Sequence, residues 1–512
     1  MPKKKAGMLE IAQLTGEPSL DLALDTMARG KQAFVFVSTK RSAEATAEKL
    51  AARLPEQPAL VELSRHALRV LPSPTKQCER LARVLRKGVA FHHAGLAHHQ
   101  REIVERSFRS GLIKIIACTP TLAFGVDLPA FRAIIRELKR FSGYGAEWIP
   151  VLEFLQMAGR AGRPRYDAWG EAIAIAGTKA ELAMIKERYI LGSPEALSSK
   201  LAAEPVLRHY VLALIATELV TIERELHELF GKTFWAAQFG DMVELSRIVI
   251  KVLYQLQRFG FVTDMSAVEG EFVPASELLS AKRVQLQATK LGRRVSELYI
   301  DPLTAHNLLG CLKRAGADTT PFAWLQAIAA QLELRPLLRV TRAELEDVQA
   351  RLEQEADSIL LTAPSEFDPE YDDWLAAAKT ALFLEAWINE TSEATLLERF
   401  RIRPGEIAAK VENADWLLYA CTEFARLLSM RERYRELAAL RLRVAHGVRE
   451  ELLPLVRLPG IGRVRARRLF RAGIRSPREM RSAPLEQLAA LIGPRTAAKL
   501  KQELQQKRPQ TP

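Results

Sequence analysis

Between residues 31 and 177, short apolar runs alternate with stretches of helical periodicity, and this alternation narrows the fold more than any other feature of the chain. The runs are Ala33-Phe34-Val35-Phe36-Val37, Val89-Ala90-Phe91, Lys114-Ile115-Ile116-Ala117-Cys118, Ala133-Ile134-Ile135 and Ala172-Ile173-Ala174-Ile175. Helical patterns fill 41–54, 75–87, 97–110 and 152–162. Strands alternating with helices form a parallel sheet covered on both faces, and ligands on such sheets sit at the carboxyl ends of the strands. After Gly177 the pattern turns mostly helical. The stretch 198–290 adds a strand-like pair, Gly260-Phe261-Val262-Thr263 with Phe272-Val273. The stretch 291–440 is nearly all helical, punctuated by Pro336, Pro364, Pro369 and Pro404, and 441–512 holds short helices with glycine turns. A chain of 512 residues accommodates this as a multidomain α/β + α protein.

Composition removes several classes. At 48% hydrophobic the chain is not disordered over most of its length. Cys78, Cys118, Cys311 and Cys421 are far apart, which excludes zinc ribbons and disulfide scaffolds and points to a reducing, cytoplasmic compartment. The longest apolar run, 210–216, falls well short of the roughly 20 residues of a membrane helix, so no membrane partner is expected. The basic residues Lys3, Lys4 and Lys5 are followed by no apolar core and do not form a signal peptide. Of the net charge of +13, residues 441–512 carry +12, from 17 Lys+Arg against 5 Asp+Glu. A basic unit that local suggests a polyanion partner; a solubilising tail is the alternative.

Two dense clusters sit in the sheet domain. The first, Thr119-Pro120-Thr121-Leu122-Ala123-Phe124-Gly125-Val126-Asp127-Leu128-Pro129-Ala130, follows a strand. The second, Gln156-Met157-Ala158-Gly159-Arg160-Ala161-Gly162-Arg163-Pro164, closes a helical pattern. Three residues apart, Arg160 and Arg163 are expected on one helix face, where paired guanidiniums among small residues suit a phosphoryl group developing charge.

With Ser38-Thr39-Lys40 after the first strand, these clusters resemble motifs IV, V and VI of the second RecA-like domain of superfamily two helicases. Phe91-His92-His93-Ala94-Gly95-Leu96 is similar to the segment between motifs IV and V that touches the nucleic-acid backbone. Within the superfamily the chain resembles the Ski-two-like branch, and in it the archaeal fork-remodelling DNA helicases grouped with HELQ and the polymerase-theta helicase. The likeness extends through 290–303, through Trp374 with Lys379-Thr380-Ala381-Leu382, and through 458–474. It implies a second RecA-like domain at 1–197, a winged helix at 198–290, a helical ratchet-type domain at 291–440 and a basic helix-hairpin-helix domain at 441–512. It implies ATP with Mg2+ as cofactor, Gly125, Asp127, Arg160 and Arg163 at the nucleotide, and Gln156, Arg160 and Arg163 in catalysis. Ser38, Thr39, Lys40, His93, Thr119 and Thr121 are the implied nucleic-acid contacts. The partner is then single-stranded or forked DNA, unwound 3′ to 5′ by a monomer in a cytoplasmic, nucleoid-associated setting.

A GxxxxGK[ST] loop and a DExH motif, which the first RecA-like domain supplies in such enzymes, do not occur in the sequence. Gly231-Lys232-Thr233 lacks its upstream glycine, because position 226 is Leu226, and Glu225-Leu226-His227 follows Arg224 rather than an acid. The resemblance places Met1 near the family's interdomain linker, so the chain is expected to be the C-terminal portion of a helicase that needs a first RecA-like domain in cis or in trans. A catalytically inactive DNA-binding protein and an RNA helicase of the same branch stay open as rivals.

Four further features carry expectations. Arg140-Phe141-Ser142-Gly143-Tyr144-Gly145-Ala146-Glu147-Trp148 fits a hairpin whose tip needs positive φ; by resemblance Tyr144 would stack on the end of a duplex, and a plain surface loop is the alternative. His92, His93, His98 and His99 have no carboxylate or cysteine at ligand spacing, so no metal is expected. Ile407, Val411, Ala414, Leu418, Cys421 and Ala425 form one helical stripe with Trp416 opposite it, which favours base stacking over packing for the indole. By resemblance an arginine stands seven residues before that tryptophan; here the position is Ala409, beside Lys410. Finally, Leu458-Pro459-Gly460-Ile461-Gly462-Arg463-Val464-Arg465 is a helix-hairpin-helix pattern, with Gly460, Gly462, Arg463 and Arg465 as backbone-reading contacts, and 491–500 resembles a degenerate second copy.

Overall fold

The computed structural model describes residues 10–71, 73–124, 127–142, 145–163, 167–264 and 285–506. They form two compact units, Met1–Ala196 with Ser392–Ala408, and Leu197–Thr391 with Ala409–Pro512.

The first unit is built on a parallel sheet. Strands β1 (Ala33–Phe36), β2 (Val89–His92), β3 (Ile115–Cys118), β4 (Arg132–Ile135) and β7 (Glu171–Ala174) lie in the order β2-β3-β1-β4-β7, and β5 (Lys139–Ser142) and β6 (Gly145–Trp148) make a separate antiparallel hairpin. The five apolar runs of the sequence are the five strands of the sheet. Their side chains are buried throughout β1, β2, β3 and β4, because helices cover both faces. Helix Lys40–Ala52 starts where Thr39 accepts a hydrogen bond from the Ser42 amide, and it buries Ala43, Ala47, Leu50 and Ala51 at helical spacing. Thr75 caps Lys76–Leu85 in the same way. Helices Pro18–Ala28 and Val61–Leu68 were not foreseen. The first is fixed by Arg132, wholly buried on β4, which donates to the Leu22 carbonyl, Thr26 and Asp25 on that helix and to Glu171 on β7. Such a buried arginine is tolerable because its donors are satisfied.

Residues 392–408, expected within the helical stretch, pack with the sheet unit. The reason is a close backbone approach. The Gly405 amide donates to the Gly95 carbonyl at 3.1 Å, and a Cβ on Gly405 would overlap the carbonyl oxygens of Ala94 and Leu96.

The second unit opens with helices Glu204–Ala216, Glu223–Phe230, Phe234–Phe239 and Met242–Arg258 and a two-stranded antiparallel sheet, β8 (Val262–Asp264) with β9 (Leu286–Ala288). The partner of 262–264 is therefore 286–288; Phe272-Val273 lies outside the described residues. Gly231-Lys232-Thr233 is the turn between two helices, with Thr233 capping the second. A helical group follows, including Tyr371–Ile388 and Arg431–His446. The boundary expected at 440/441 falls inside that last helix, which Gly447 ends with φ +63 against the face of Trp387. The remaining helices close over a core of their own that includes Val448, Leu455, Leu469, Leu488 and Leu500. Among the described residues no helix is long and apolar enough to cross a membrane.

Candidate functional site

A cavity of about 590 Å³ opens at the carboxyl ends of β1 and β3, where the strand order makes the sheet's crevice. It is lined by Ser38, Thr39, Lys40, Arg41, Thr119, Thr121, Glu137, Arg140 and Arg403, among others. Two separate sequence clusters, 38–40 and 119–121, are thus brought into one cleft. Ser38 gives both its amide and its hydroxyl to Glu137, whose carboxyl is held below the usual range: burial opposes this, but Ser38 and Arg136 outweigh it. The Thr119 and Thr121 hydroxyls lie 3.0 Å apart. Lys40 pairs with Glu406 and Arg140 with Glu153. Arg41 is exposed at the rim without a partner among the described residues. Sequence reasoning missed Arg41 and Arg403, and read Arg140 only as part of the hairpin. Arg41 adjoins the first cluster and was findable; Arg403 comes from more than 350 residues away in sequence and had no local signal.

Behind the cleft lies a buried charge network. Glu44, 3% exposed, meets Arg80, Arg403 at 3.1 Å and His93 at 3.2 Å. Burial alone would raise its pKa, yet hydrogen bonding to His93 and the charges of Arg403 and Arg80 bring it down to about 2. His93 was expected to face a nucleic-acid backbone, and the structure corrects this. The ring is fully buried, Nε2 faces Glu44, Nδ1 accepts from the Gly95 amide, and burial holds the imidazole below its ordinary value. A buried ring with both nitrogens engaged supports the cleft from behind.

The expectation that Arg160 and Arg163 share a helix face is also corrected. The helix, Val151–Ala158, ends before either arginine, and Gly162 at φ +99 turns the chain between them. The segment is stitched to the first cluster instead: the Ala130 amide donates to the Arg160 carbonyl at 2.9 Å and the Gly162 amide to the Ala130 carbonyl at 2.7 Å. Arg160 donates Nε and Nη2 to the Ala123 carbonyl, and its Nη1 has no partner among the described residues. Arg163 grips Asp167 through Nε at 2.6 Å and Gln32 through Nη1 at 2.7 Å. Burial opposes ionisation of Asp167, but Arg163 and Lys31 hold its pKa below the usual range. Asp127 and Gln156 are exposed; Gly125 lies outside the described residues. Arg160 therefore keeps one nitrogen open to an anion, whereas Arg163 is already engaged by Asp167 and Gln32.

The β5–β6 hairpin forms as expected, with Gly145 at φ +132, and Tyr144 lies outside the described residues. His98 and His99 are joined by Glu102, 2.9 Å from His99, which the spacing argument overlooked; all three sit at the start of a helix, the two histidines exposed.

In the second unit, Trp416 is half-buried and its Nε1 donates to the Leu298 carbonyl at 2.9 Å. The buried sector of its helix is wider than the stripe read from sequence, because Leu417, Ala420 and Phe424 are buried as well. Ala409 is exposed, and the Lys410 ammonium holds the Leu334 and Pro336 carbonyls. Gly460 and Gly462 precede helix Arg463–Arg471, with Gly460 at φ +76. Arg463 is turned inward, donating to the Thr391 carbonyl at 2.6 Å over the Trp387 ring, and Arg465 folds back onto the Gly460 carbonyl at 2.8 Å.

A crevice at the sheet's carboxyl edge, an arginine segment stitched to the preceding motif and a separate basic helical module together have the architecture of a helicase C-terminal RecA-like domain followed by helical modules. Comparison with known families agrees: residues 60–165 match the helicase conserved C-terminal domain, 322–447 the domain 4 of archaeal helicases, and 452–506 a SAM-like helix-hairpin-helix tandem. The chain is 40% identical over 483 residues to the ATP-dependent DNA helicase Hel308 of Pyrococcus abyssi, covering 92% of this chain and 64% of that protein. It is 38% identical to the Hel308 of Methanocella arvoryzae (96% and 65% covered) and 35% identical to that of Methanococcus vannielii (94% and 67%). The chain belongs to the Hel308 family of archaeal superfamily two helicases. It spans 64–65% of the length of the Pyrococcus and Methanocella relatives.

Proposed function

We propose that this chain is the strand-handling portion of an ATP-dependent DNA helicase, working with a RecA-like domain that carries the phosphate loop and the DExH acid, in cis or in trans. The observation that carries the reading is the cleft in which Ser38-Thr39-Lys40 and Thr119–Thr121 converge with Arg41 and Arg140. A row of hydroxyls and cations suits the sugar-phosphate backbone and ignores base identity. Mg2+-ATP, when bound, supplies phosphoryl transfer; Arg160 would hold the developing charge through its open Nη1, and the exposed Asp127 and Gln156 would serve the nucleotide by resemblance. In this reading 198–290 is a winged helix, 291–440 carries a ratchet-type helix with Trp416 against a base, and 441–512 holds duplex or flanking strand. Translocation runs 3′ to 5′ on forked DNA by a monomer, in the cytoplasm, in the manner of the HELQ and polymerase-theta helicase group.

The test is DNA binding without nucleotide. The chain binds fluorescein-labelled oligothymidylate, and Lys40→Ala with Arg41→Ala weakens it. Each lost phosphate contact lowers the slope of log affinity against log salt by about 0.7. An unchanged slope in the double variant would reject the cleft as the strand's seat.

A further inference from the structure

A second cleft, of about 540 Å³, lies wholly within the helical group of the second unit. One wall is the strap 335–342, extended up to Thr341 and turning into the short helix Arg342–Glu344, which presents Arg335, Arg339 and Arg342; the other is the first turns of helix Tyr371–Ile388, with Asp372 and Asp373. The strap is firmly held. Two buried lysines direct their ammonium groups to its backbone: Lys410 to the Leu334 and Pro336 carbonyls at 3.1 and 2.6 Å, and Lys379 to the Arg339 carbonyl at 2.8 Å. The Leu338 amide donates to Thr380. Burying two ammonium groups is unfavourable unless they are well bonded, and here the bonds go to fixing one short backbone segment.

The charges on that segment are not accounted for by the fold. Asp372 and Asp373 stand in the first turn of a long helix, where carboxylates complement the dipole, and Asp373 pairs with Arg335 at 2.5 Å. Glu344, next to the strap, is taken by Lys379 and Thr341. Arg339 and Arg342 are exposed, line the cleft and have no side-chain partner among the described residues. Two unpaired planar guanidiniums on a rigid backbone, at the mouth of a concave surface, match the oxygens of a phosphodiester.

We propose that the cleft between the strap 335–342 and helix Tyr371–Ile388 binds phosphodiester groups of a DNA strand through Arg339 and Arg342. This rests on the DNA-binding reading above and adds a contact point to it. The site is indifferent to sequence, and Arg335, already neutralised by Asp373, positions the strap's first residue without taking part.

The experiment uses the full chain and fluorescein-labelled oligothymidylate across a salt series. Arg339→Gln with Arg342→Gln reduces affinity about fivefold per lost contact near 0.1 M salt, roughly 25-fold together, and lowers the salt slope by about 1.4. Asp372→Asn acts in the opposite direction and tightens binding. Arg339→Lys with Arg342→Lys retains most of the slope, and the melting temperature is unchanged in the arginine variants because the substituted groups are exposed. Inorganic phosphate at matched ionic strength displaces no DNA. Wild type that binds while the Gln variant matches it in affinity and slope overturns this site alone. Wild type that fails to bind overturns the DNA-binding reading itself. Displacement by phosphate shows a site for free anions and also overturns the proposal.

Discussion

Glu44→Gln tests the network that supports the cleft. The carboxylate is 3% exposed and is held at about 2 against an ordinary value of 4.5. That difference corresponds to roughly 3 kcal/mol of stability at neutral pH. Independently, removing one member of a buried ion pair costs about 3–5 kcal/mol, because the partners stay buried and unpaired. Here Arg80 keeps Glu48, which tempers the loss, but Arg403 and His93 keep no equivalent partner. A destabilisation of about 3 kcal/mol at pH 7 is therefore expected. Its pH dependence has a fixed sign. A depressed carboxylate stabilises the fold above its unfolded value, so the contribution is complete above about pH 4.5 and is lost as pH falls towards 2. Gln cannot titrate, so the variant loses this portion of acid sensitivity. His93, held below 6.5 by burial, makes both proteins lose stability as pH drops below 6.5, and that fall persists in the variant. Hydrogen exchange read by mass spectrometry over helix Lys40–Ala52 and β2 isolates the first unit from the second. A loss of protection under 1 kcal/mol at pH 7, or an unaltered pH dependence below 4.5, would refute the argument.

Other outcomes follow from the same geometry. Trp416→Phe keeps an aromatic face but removes the donor to the Leu298 carbonyl; melting should register about 1 kcal/mol while single-strand affinity changes little. Trp416→Ala should in addition cost roughly 1–3 kcal/mol of single-strand binding, and unaltered affinity would make the indole a packing residue only. Truncation before Val448 removes a module with its own core that carries 15 Lys+Arg against 5 Asp+Glu. The duplex salt slope should then shrink by about 0.9 per lost phosphate contact, and an unchanged slope would mean that the module's charge faces solvent or protein.

The sheet was legible because its strands are short, mostly apolar runs, and β1 to β4 are buried along their whole length, a pattern that a covered parallel sheet explains. The convergence of 38–40 with 119–121 was legible because motifs after adjacent parallel strands share one edge. What escaped was non-local. Arg403 enters the cleft through the Gly405–Gly95 approach, a contact between segments some 310 residues apart. His93 was misjudged because its partner Glu44 lies on a different helix, and burial of a histidine depends on what packs over it. The helix expected through Arg160 and Arg163 ends early because Gly162 takes positive φ and the chain bonds to Ala130 instead. The Trp416 wheel placed the buried stripe except at Val411, which is half-buried, and underestimated its width, since the neighbouring Leu298 segment was not visible in a single helix.

The central claim is that this chain completes a DNA-driven ATPase through Arg160. It is tested by joining the chain to the N-terminal RecA-like domain of a Hel308 relative and measuring ATP turnover with and without single-stranded DNA. The account predicts negligible turnover by the chain alone and DNA-stimulated turnover by the fusion. It also predicts a loss of roughly 10³–10⁵ in the Arg160→Ala fusion, at unchanged DNA affinity. DNA-stimulated ATP hydrolysis by the chain alone, or a loss under tenfold in the Arg160→Ala fusion, would contradict it.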